Sequence, residues 1–324
     1  MSEAATYLDS FLAPLAPFLG QPDVTDIWIN RTEEIWVERL GGQIERFEIA
    51  GLDERMLVRL ARQIASHSAQ GVSRAEPLLA STLPDGSRVQ IAAPPATRDG
   101  YAFAIRRHVS SELSLDDWDD SGAFDDLRVG PAKLISDREF KPLSGPQVKT
   151  VLQDAILSRR NIVVAGGTSS GKTTFLNALL AEVPPYERLI TIEDTEELKI
   201  RHPNAVGLLA ARGQLAEANV TAEDLLIAAL RMRPDRIILG ELRGVEAFTF
   251  LRAINTGHPG SMTTIHADTP RRAIEQLVLL VLQTGSKLSH DDVRHYIETS
   301  IDVFVQLERG AGGRRVREIM IAQC

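Results

Sequence analysis

Residues 161–174 constrain this chain most. A short apolar run, Ile162-Val163-Val164-Ala165, leads into Gly166-Gly167-Thr168-Ser169-Ser170-Gly171-Lys172-Thr173-Thr174, and Phe175, Leu176, Leu179 and Leu180 follow at helical spacing. Gly166, Gly171, Lys172 and Thr173 stand at the spacing G-x-x-x-x-G-K-[ST], between a strand that reads as buried and a helix with one apolar face. Glycines let successive backbone N–H groups turn inward around an anion, and the positive end of the following helix faces the same point. The pattern predicts a phosphate-binding loop, with Gly166, Gly167, Thr168, Ser169, Ser170, Gly171, Lys172, Thr173 and Thr174 as the nucleotide-binding set. Lys172 would reach the β- and γ-phosphates, and the Thr173 hydroxyl would ligate Mg2+.

A chain of 324 residues has room for two domains, each with its own core. Its balance of 36 basic against 44 acidic residues, net −8, with no polybasic block, argues against a protein that coats nucleic acid. Cys324 is the only cysteine, which excludes a disulfide framework and a cysteine-based zinc site and fits a reducing, cytoplasmic compartment. The apolar stretch Tyr7 to Leu19 is broken by Asp9, Pro14 and Pro17 and is too short to span a bilayer, so membrane association is expected to be peripheral or through a partner.

Up to residue 108 the chain reads as a small α+β domain: a helix over 4–13, strand-like runs at 24–30, 34–38 and 43–49, a helix over 53–68, and strands at 78–83, 88–92 and 101–107. Residues 109–145 change character. Asp116, Asp117, Asp119, Asp120, Asp125 and Asp126 crowd around Trp118, which reads as a solvated acidic linker between domains. From 146 to 324 strands alternate with helices, as in a wound α/β domain whose ligands lie at the carboxyl ends of its strands. Leu198–Ile200 and Ala205–Ala211 read as a small antiparallel excursion from it.

Three further strand ends are expected at the same edge as the loop. Glu193 and Asp194 end the strand 188–192, Glu241 follows the strand 236–239, and His266 follows the strand 261–265. A carboxylate in such a place is often only a helix cap, but several beside a phosphate loop suit hydrolysis. That reaction needs the γ-phosphate held in line with a water and its charge neutralised. Glu193 and Glu241 are the expected carboxylate pair, one orienting the water and one serving the metal shell. His258 and His266 are candidates for contact with the γ-phosphate, and Gly257 and Gly260 place His258 in a tight turn assigned to the same edge.

Four ordered segments carry a resemblance. The phosphate loop, Ile190-Thr191-Ile192-Glu193-Asp194, the run from Arg231 to Gly244 containing Gly240-Glu241-Leu242-Arg243, and Asn255 to Ala267 resemble the Walker A, Asp, Walker B and His boxes of the secretion ATPase superfamily. With Thr82-Leu83-Pro84-Asp85-Gly86-Ser87-Arg88 and Gln276-Leu277-Val278-Leu279-Leu280, the chain is most similar to the VirB/TrbB-type traffic ATPases of bacterial type IV secretion and conjugation. One departure stands out: the four-cysteine module of the type II branch is missing; Gly240 stands where generic P-loop ATPases carry an aspartate, as the superfamily has it.

The resemblance implies a RecA-like ATPase domain with a smaller N-terminal domain, six chains in a ring, and nucleotide between the two domains of each. It implies ATP and Mg2+ as cofactors, Glu193 acting on the water, and Thr173 and Glu241 serving the metal. It places arginines of the first domain against the phosphates, and Arg88 and Arg106 occupy the matching positions. The expected function is a motor for substrate transfer or pilus assembly at the cytoplasmic face of the inner membrane. It would work with membrane and cytoplasmic subunits of a type IV secretion system and without direct contact to nucleic acid. A pilus-retraction motor shares the four boxes and is the alternative; a DNA translocase on the same core is a more distant one.

Overall fold

The computed structural model describes residues 3–40, 42–68, 70–107, 113–125, 127–131, 141–142, 145–210, 220–310 and 313–321. The chain divides into two compact units, the first ending at Ser110 and the second beginning at Ser111.

The first unit opens with α1 (Glu3–Leu12) and α2 (Ala16–Leu19) and continues with β1 (Val24–Ile29), β2 (Glu34–Arg39), β3 (Ile44–Glu48), α3 (Glu54–His67), β4 (Leu78–Thr82), β5 (Arg88–Ala92) and β6 (Ala102–Arg106). The strands form one antiparallel sheet in the order β3-β2-β1-β6-β5-β4. Helix α3 starts at Asp53, whose carboxylate accepts from the Met56 N–H, and it buries Leu57, Leu60, Ala61 and Ile64 at helical spacing. Alternate residues of the strands, among them Ile27, Ile29, Val89, Ile91, Phe103 and Ile105, complete that core. The α+β expectation for this part of the chain matches the elements found.

The second unit contains α4 (Leu115–Asp120), β7 (Arg128–Pro131), β8 (Lys141–Pro142), α5 (Gly145–Leu157), β9 (Ile162–Gly166), α6 (Lys172–Ala181), β10 (Leu189–Glu193), β11 (Ala205–Leu209), α7 (Ala222–Ala229), β12 (Arg236–Leu242), α8 (Glu246–Asn255), β13 (Met262–His266), α9 (Pro270–Leu282), α10 (His290–Ser300), β14 (Val303–Gly310) and β15 (Gly313–Ile321). Its sheet runs β11-β10-β12-β13-β9-β14-β15-β7-β8 and is parallel from β11 to β14. Strand β9 is buried along its whole length, and its alternation divides two cores. Ile162 and Val164 face α5 and α6 residues such as Leu152, Phe175 and Leu176; Val163 and Ala165 face Phe250, Leu251, Leu277 and others on α7 to α10.

Two expectations are corrected here. The acidic stretch read as a solvated linker contributes α4, β7 and β8 to the second unit. Ser114 and Asp117 form a capping box at the start of α4, and Leu115 and Trp118, three apart on one face, are buried in the core beside Phe175. The aspartates occupy the opposite, wetter face, so their composition concealed a helix. Residues 109–112, 126, 132–140 and 143–144 lie outside the described residues, as does Cys324.

The second correction concerns Leu198–Ile200, which is not a strand; β11 pairs parallel with β10. The N–H groups of Glu197 and Leu198 donate to Glu193 Oε1 at 2.9 and 2.7 Å, and that of Lys199 donates to Asn177 Oδ1 at 2.8 Å. Side chains thus take the donors that a sheet ladder would need.

Candidate active site

The site is set by strand direction. In the ladder, Gly166 at the end of β9 stands opposite His266 on β13 and Leu307 on β14, so the loop leaves the sheet between two neighbouring strands at their carboxyl side. The loop then turns through two left-handed positions, Ser169 at φ 58° and Gly171 at φ 92°. Left-handed residues within a tight turn bring consecutive N–H groups to one concave side, an anion nest. A side chain at Gly171 is excluded twice over, by its φ and because a Cβ would lie 2.7 Å from Cδ of Arg314.

Helix α6 begins at Lys172 with no side chain capping its first turn, so its leading N–H groups are available to an anion. The Lys172 ammonium donates to the carbonyls of Gly166 and Gly167 at 3.0 and 3.2 Å, lying back across the loop. Ser170 Oγ donates to the Gly167 carbonyl at 2.9 Å. A loop built this way fits a nucleotide phosphate by both charge and donor set.

The strand-end residues converge as expected, with one exception. Strand β12 takes one residue more than β13 between Leu239 and Leu242, which displaces Gly240 and Glu241 from the ladder. Glu241 Oε1 then lies 3.9 Å from Lys172 Nζ. Arg243, from the same segment, donates from Nε to Glu241 Oε2 at 2.7 Å and from Nη1 to Asp194 Oδ2 at 3.3 Å, so it ties the ends of β12 and β10 together. Glu193 is buried at 6% exposure; burial pushes its carboxyl up to about 6, against the N–H groups of Glu197 and Leu198, which favour the ionised form. His266 is exposed beside Gly166.

His258 is the exception. It precedes β13, and its Nδ1 lies 3.1 Å from the carbonyl of Pro234, which precedes β12. Both therefore sit at the amino edge of the sheet, and the length of a five-residue strand, roughly 15 Å at 3.3 Å per residue, separates His258 from the loop of its own unit. Residues before a parallel strand lie at the end opposite to those after it, and the glycine-rich turn belongs to the former. What the turn does is structural: Ser261 Oγ donates to the His258 carbonyl, and the Ile237 N–H donates to Ser261 Oγ.

In the first unit, Arg88 and Arg106 are direct cross-strand partners on the sheet face away from the core, and Asp26 stands in register with Arg106. Two cations directly opposite one another repel, and an acidic neighbour or a bound anion offsets this.

Sequence reasoning passed over four groups that the structure brings to the loop. Thr173 Oγ1 donates to Glu197 Oε2 at 3.0 Å, and Asn177 Nδ2 donates to the Glu197 carbonyl at 3.1 Å. Arg314 packs on Gly171 and reaches Thr174 Oγ1 at 3.4 Å, and Trp118 borders Gly171 as well. Only Glu197 had a usable signal, its place shortly after the Glu193-Asp194 pair. A cavity of about 440 Å³ opens on the outer side of that segment, lined by Glu193, Glu196, Leu198, Lys199 and the edge strand β11.

Comparison with known proteins bears on this geometry. The family model for "Type II/IV secretion system protein" matches residues 10–311. The type IV secretion system protein VirB11 of Bartonella quintana is 38% identical over 324 residues, spanning 95% of this chain and 91% of the relative. VirB11 of Brucella suis is 36% identical over 326 residues, spanning 97% and 90%. Among solved structures, the crystal structure of the VirB11 ATPase from the Brucella suis type IV secretion system in complex with sulphate superposes with a TM-score of 0.51 at 35% identity, covering 97% of both chains. The pilus retraction motor PilT with bound ADP superposes with a TM-score of 0.61 at 21% identity, covering 97% of this chain and 82% of that one, a likeness of fold.

Proposed function

The chain belongs to the type II/IV secretion system protein family, and from that premise we propose that it works as a ring of six identical chains driven by ATP in a bacterial type IV secretion or conjugation system. It is an ATPase of α/β, RecA-like fold with a smaller N-terminal α+β domain. The observation that carries the site assignment is the convergence of Lys172, Thr173, Glu193 and Glu241 at one sheet edge, around a loop shaped for phosphate.

In this reading Lys172 leaves the loop carbonyls for the β- and γ-phosphates, and the uncapped start of α6 takes the negative charge beside it. Thr173 and Glu241 would hold Mg2+, the latter through water, and the ion would supply positive charge against that of the phosphates. Glu193 keeps one oxygen on the backbone of 197–198 and would use the other to orient the attacking water, and a carboxyl titrating near 6 suits that role at neutral pH. Arg243 holds Glu241 until substrate charge competes for both. His266 would contact the γ-phosphate, and Arg88 and Arg106 would serve as anion-contacting arginines of the first domain. We place the first domain at 1–108 and the catalytic domain in the second unit, with α4, β7 and β8 part of it, and the protein at the cytoplasmic face of the inner membrane with subunits of its secretion machine. Among the described residues no helix is long and apolar enough to cross a membrane.

The test is Mg2+-dependent ATP turnover per chain as a function of protein concentration, with mass measured in parallel. Turnover per chain should rise and level off as six-chain particles form, and Lys172→Ala should show none at any concentration. Retained turnover in Lys172→Ala would overturn the site, and constant turnover by a species of monomer mass would overturn the ring.

A further inference from the structure

A Walker Thr that ligates a metal has a proton to place elsewhere. Its hydroxyl carries one hydrogen and two lone pairs, and only when the hydrogen has a fixed acceptor do the lone pairs have a fixed direction. In generic P-loop ATPases the aspartate of the Walker B strand stands at the metal. Here that position is Gly240, next to the buried Glu193. A Cβ on Gly240 would meet Glu193 Cγ at 3.4 Å and the Ile192 carbonyl at 3.5 Å, both ordinary contacts, so an aspartate there would set a second carboxylate beside the buried one of Glu193.

We propose that Glu197 supplies the missing carboxylate as a positioning residue, accepting the Thr173 hydroxyl hydrogen and so aiming the oxygen's lone pairs at the metal. The inference rests on the nucleotide site proposed above and adds to it a residue outside the expected set. The direct observation is the bond from Thr173 Oγ1 to Glu197 Oε2 at 3.0 Å.

How Glu197 is held makes the bond more than a chance surface contact. Its N–H donates to Glu193 Oε1 at 2.9 Å, its carbonyl accepts from Asn177 Nδ2 at 3.1 Å, and the Lys199 N–H returns to Asn177 Oδ1 at 2.8 Å. Thr173 and Asn177 are four residues apart on α6 and so share one face of the helix. One grips the Glu197 side chain and the other its backbone. Glu193, whose Oε1 accepts from the N–H groups of 197 and 198, fixes the same segment from the strand side. Three side chains from two elements thus deliver one carboxylate to the metal-facing hydroxyl. The carboxylate comes from a loop after β10 and not from the strand β12.

The test uses the full chain and a fluorescent ADP analogue, titrated once in EDTA and once in excess Mg2+. Wild-type protein should bind more tightly with Mg2+. In Glu197→Ala the affinity in EDTA should stay within about twofold, while the concentration of Mg2+ needed for the tightening should rise about 10- to 100-fold, the range seen when an outer-shell partner of a metal ligand is removed. Glu197→Gln, which keeps an acceptor oxygen, should recover a substantial part of that loss and serves if the alanine variant folds poorly. A Thr173→Ala, Glu197→Ala double variant should be no worse than Thr173→Ala alone. Wild-type Mg2+ dependence in Glu197→Ala would overturn the inference, as would an equal loss in EDTA and in Mg2+, which is the result of a merely structural role. Absence of any Mg2+ effect in the wild-type protein would overturn the nucleotide-site reading itself.

Discussion

Replacing Glu193 by glutamine keeps its shape and an acceptor oxygen for the N–H groups of Glu197 and Leu198, and removes only its titration. In the folded protein that carboxyl titrates at about 6, against an ordinary value of 4.5, because burial disfavours its charge. The folded state therefore binds more protons than the unfolded state between those two values. The stability that protonated Glu193 contributes is complete below the unfolded value and is lost as pH rises through about 6. The raised value corresponds to about 2 kcal/mol at 1.36 kcal/mol per pH unit. Glu193→Gln cannot lose this, so its stability relative to wild type should rise by that amount between pH 4 and pH 7. The measurement is amide hydrogen exchange read on peptides of β10, which reports the opening of the second unit apart from the first. Intrinsic exchange rates and the titration of exposed caps such as Asp117 and Asp224 cancel in the difference between the two proteins. A difference that stays flat across this window would show that Glu193 is solvated and that burial does not govern its charge.

Two further outcomes follow from buried polar groups. Arg236 is fully buried, donates to both oxygens of Glu187 at 2.8 and 2.9 Å, and reaches the carbonyls of Ile156 and Gly260 at 2.8 and 3.2 Å. Arg236→Met should destabilise the second unit by about 3 kcal/mol, the low end of the cost of stranding a buried charge, because Arg159 also lies 3.2 Å from Glu187 and softens the loss. Urea unfolding would measure it, and a loss below about 1 kcal/mol would refute the role of the pair. Thr191 is fully buried, and its hydroxyl has no hydrogen-bond partner among the described residues. Thr191→Val should raise the unfolding midpoint by the equivalent of about 1 kcal/mol; a lowered midpoint would mean that a water or a neighbouring group satisfies the hydroxyl.

What the sequence disclosed was local in origin. The phosphate loop announces itself because strand, glycines and helix are contiguous, and Glu193, Glu241 and His266 were found because each closely follows an apolar run. His258 was misplaced for a related reason. It lies near the same strand as His266 but before it, and a residue's edge depends on which end of the strand it adjoins. Trp118 was lost in composition: six aspartates within eleven residues look like a solvated linker, yet Leu115 and Trp118 share the face that they leave free.

Glu197 follows the Glu193-Asp194 pair closely in the sequence, but what it touches depends on groups distant in the chain. Strand pairing fixes a carboxylate on β12 through the backbone, and such a position can be read from the strand alone. A carboxylate on the loop after β10 has no ladder, so its place is set by Glu193 Oε1, by the amide of Asn177 and by the hydroxyl that it serves. Gly240 and Glu197 are therefore two sides of one arrangement. The glycine sets no second carboxylate beside Glu193, Glu193 Oε1 accepts the N–H groups of the 197–198 segment, and that segment carries Glu197 to Thr173. Restoring an aspartate at position 240 would thus leave the Thr173 hydroxyl with its present acceptor while setting a like charge beside the Glu193 that holds this acceptor in place, so the exchange is not a repair.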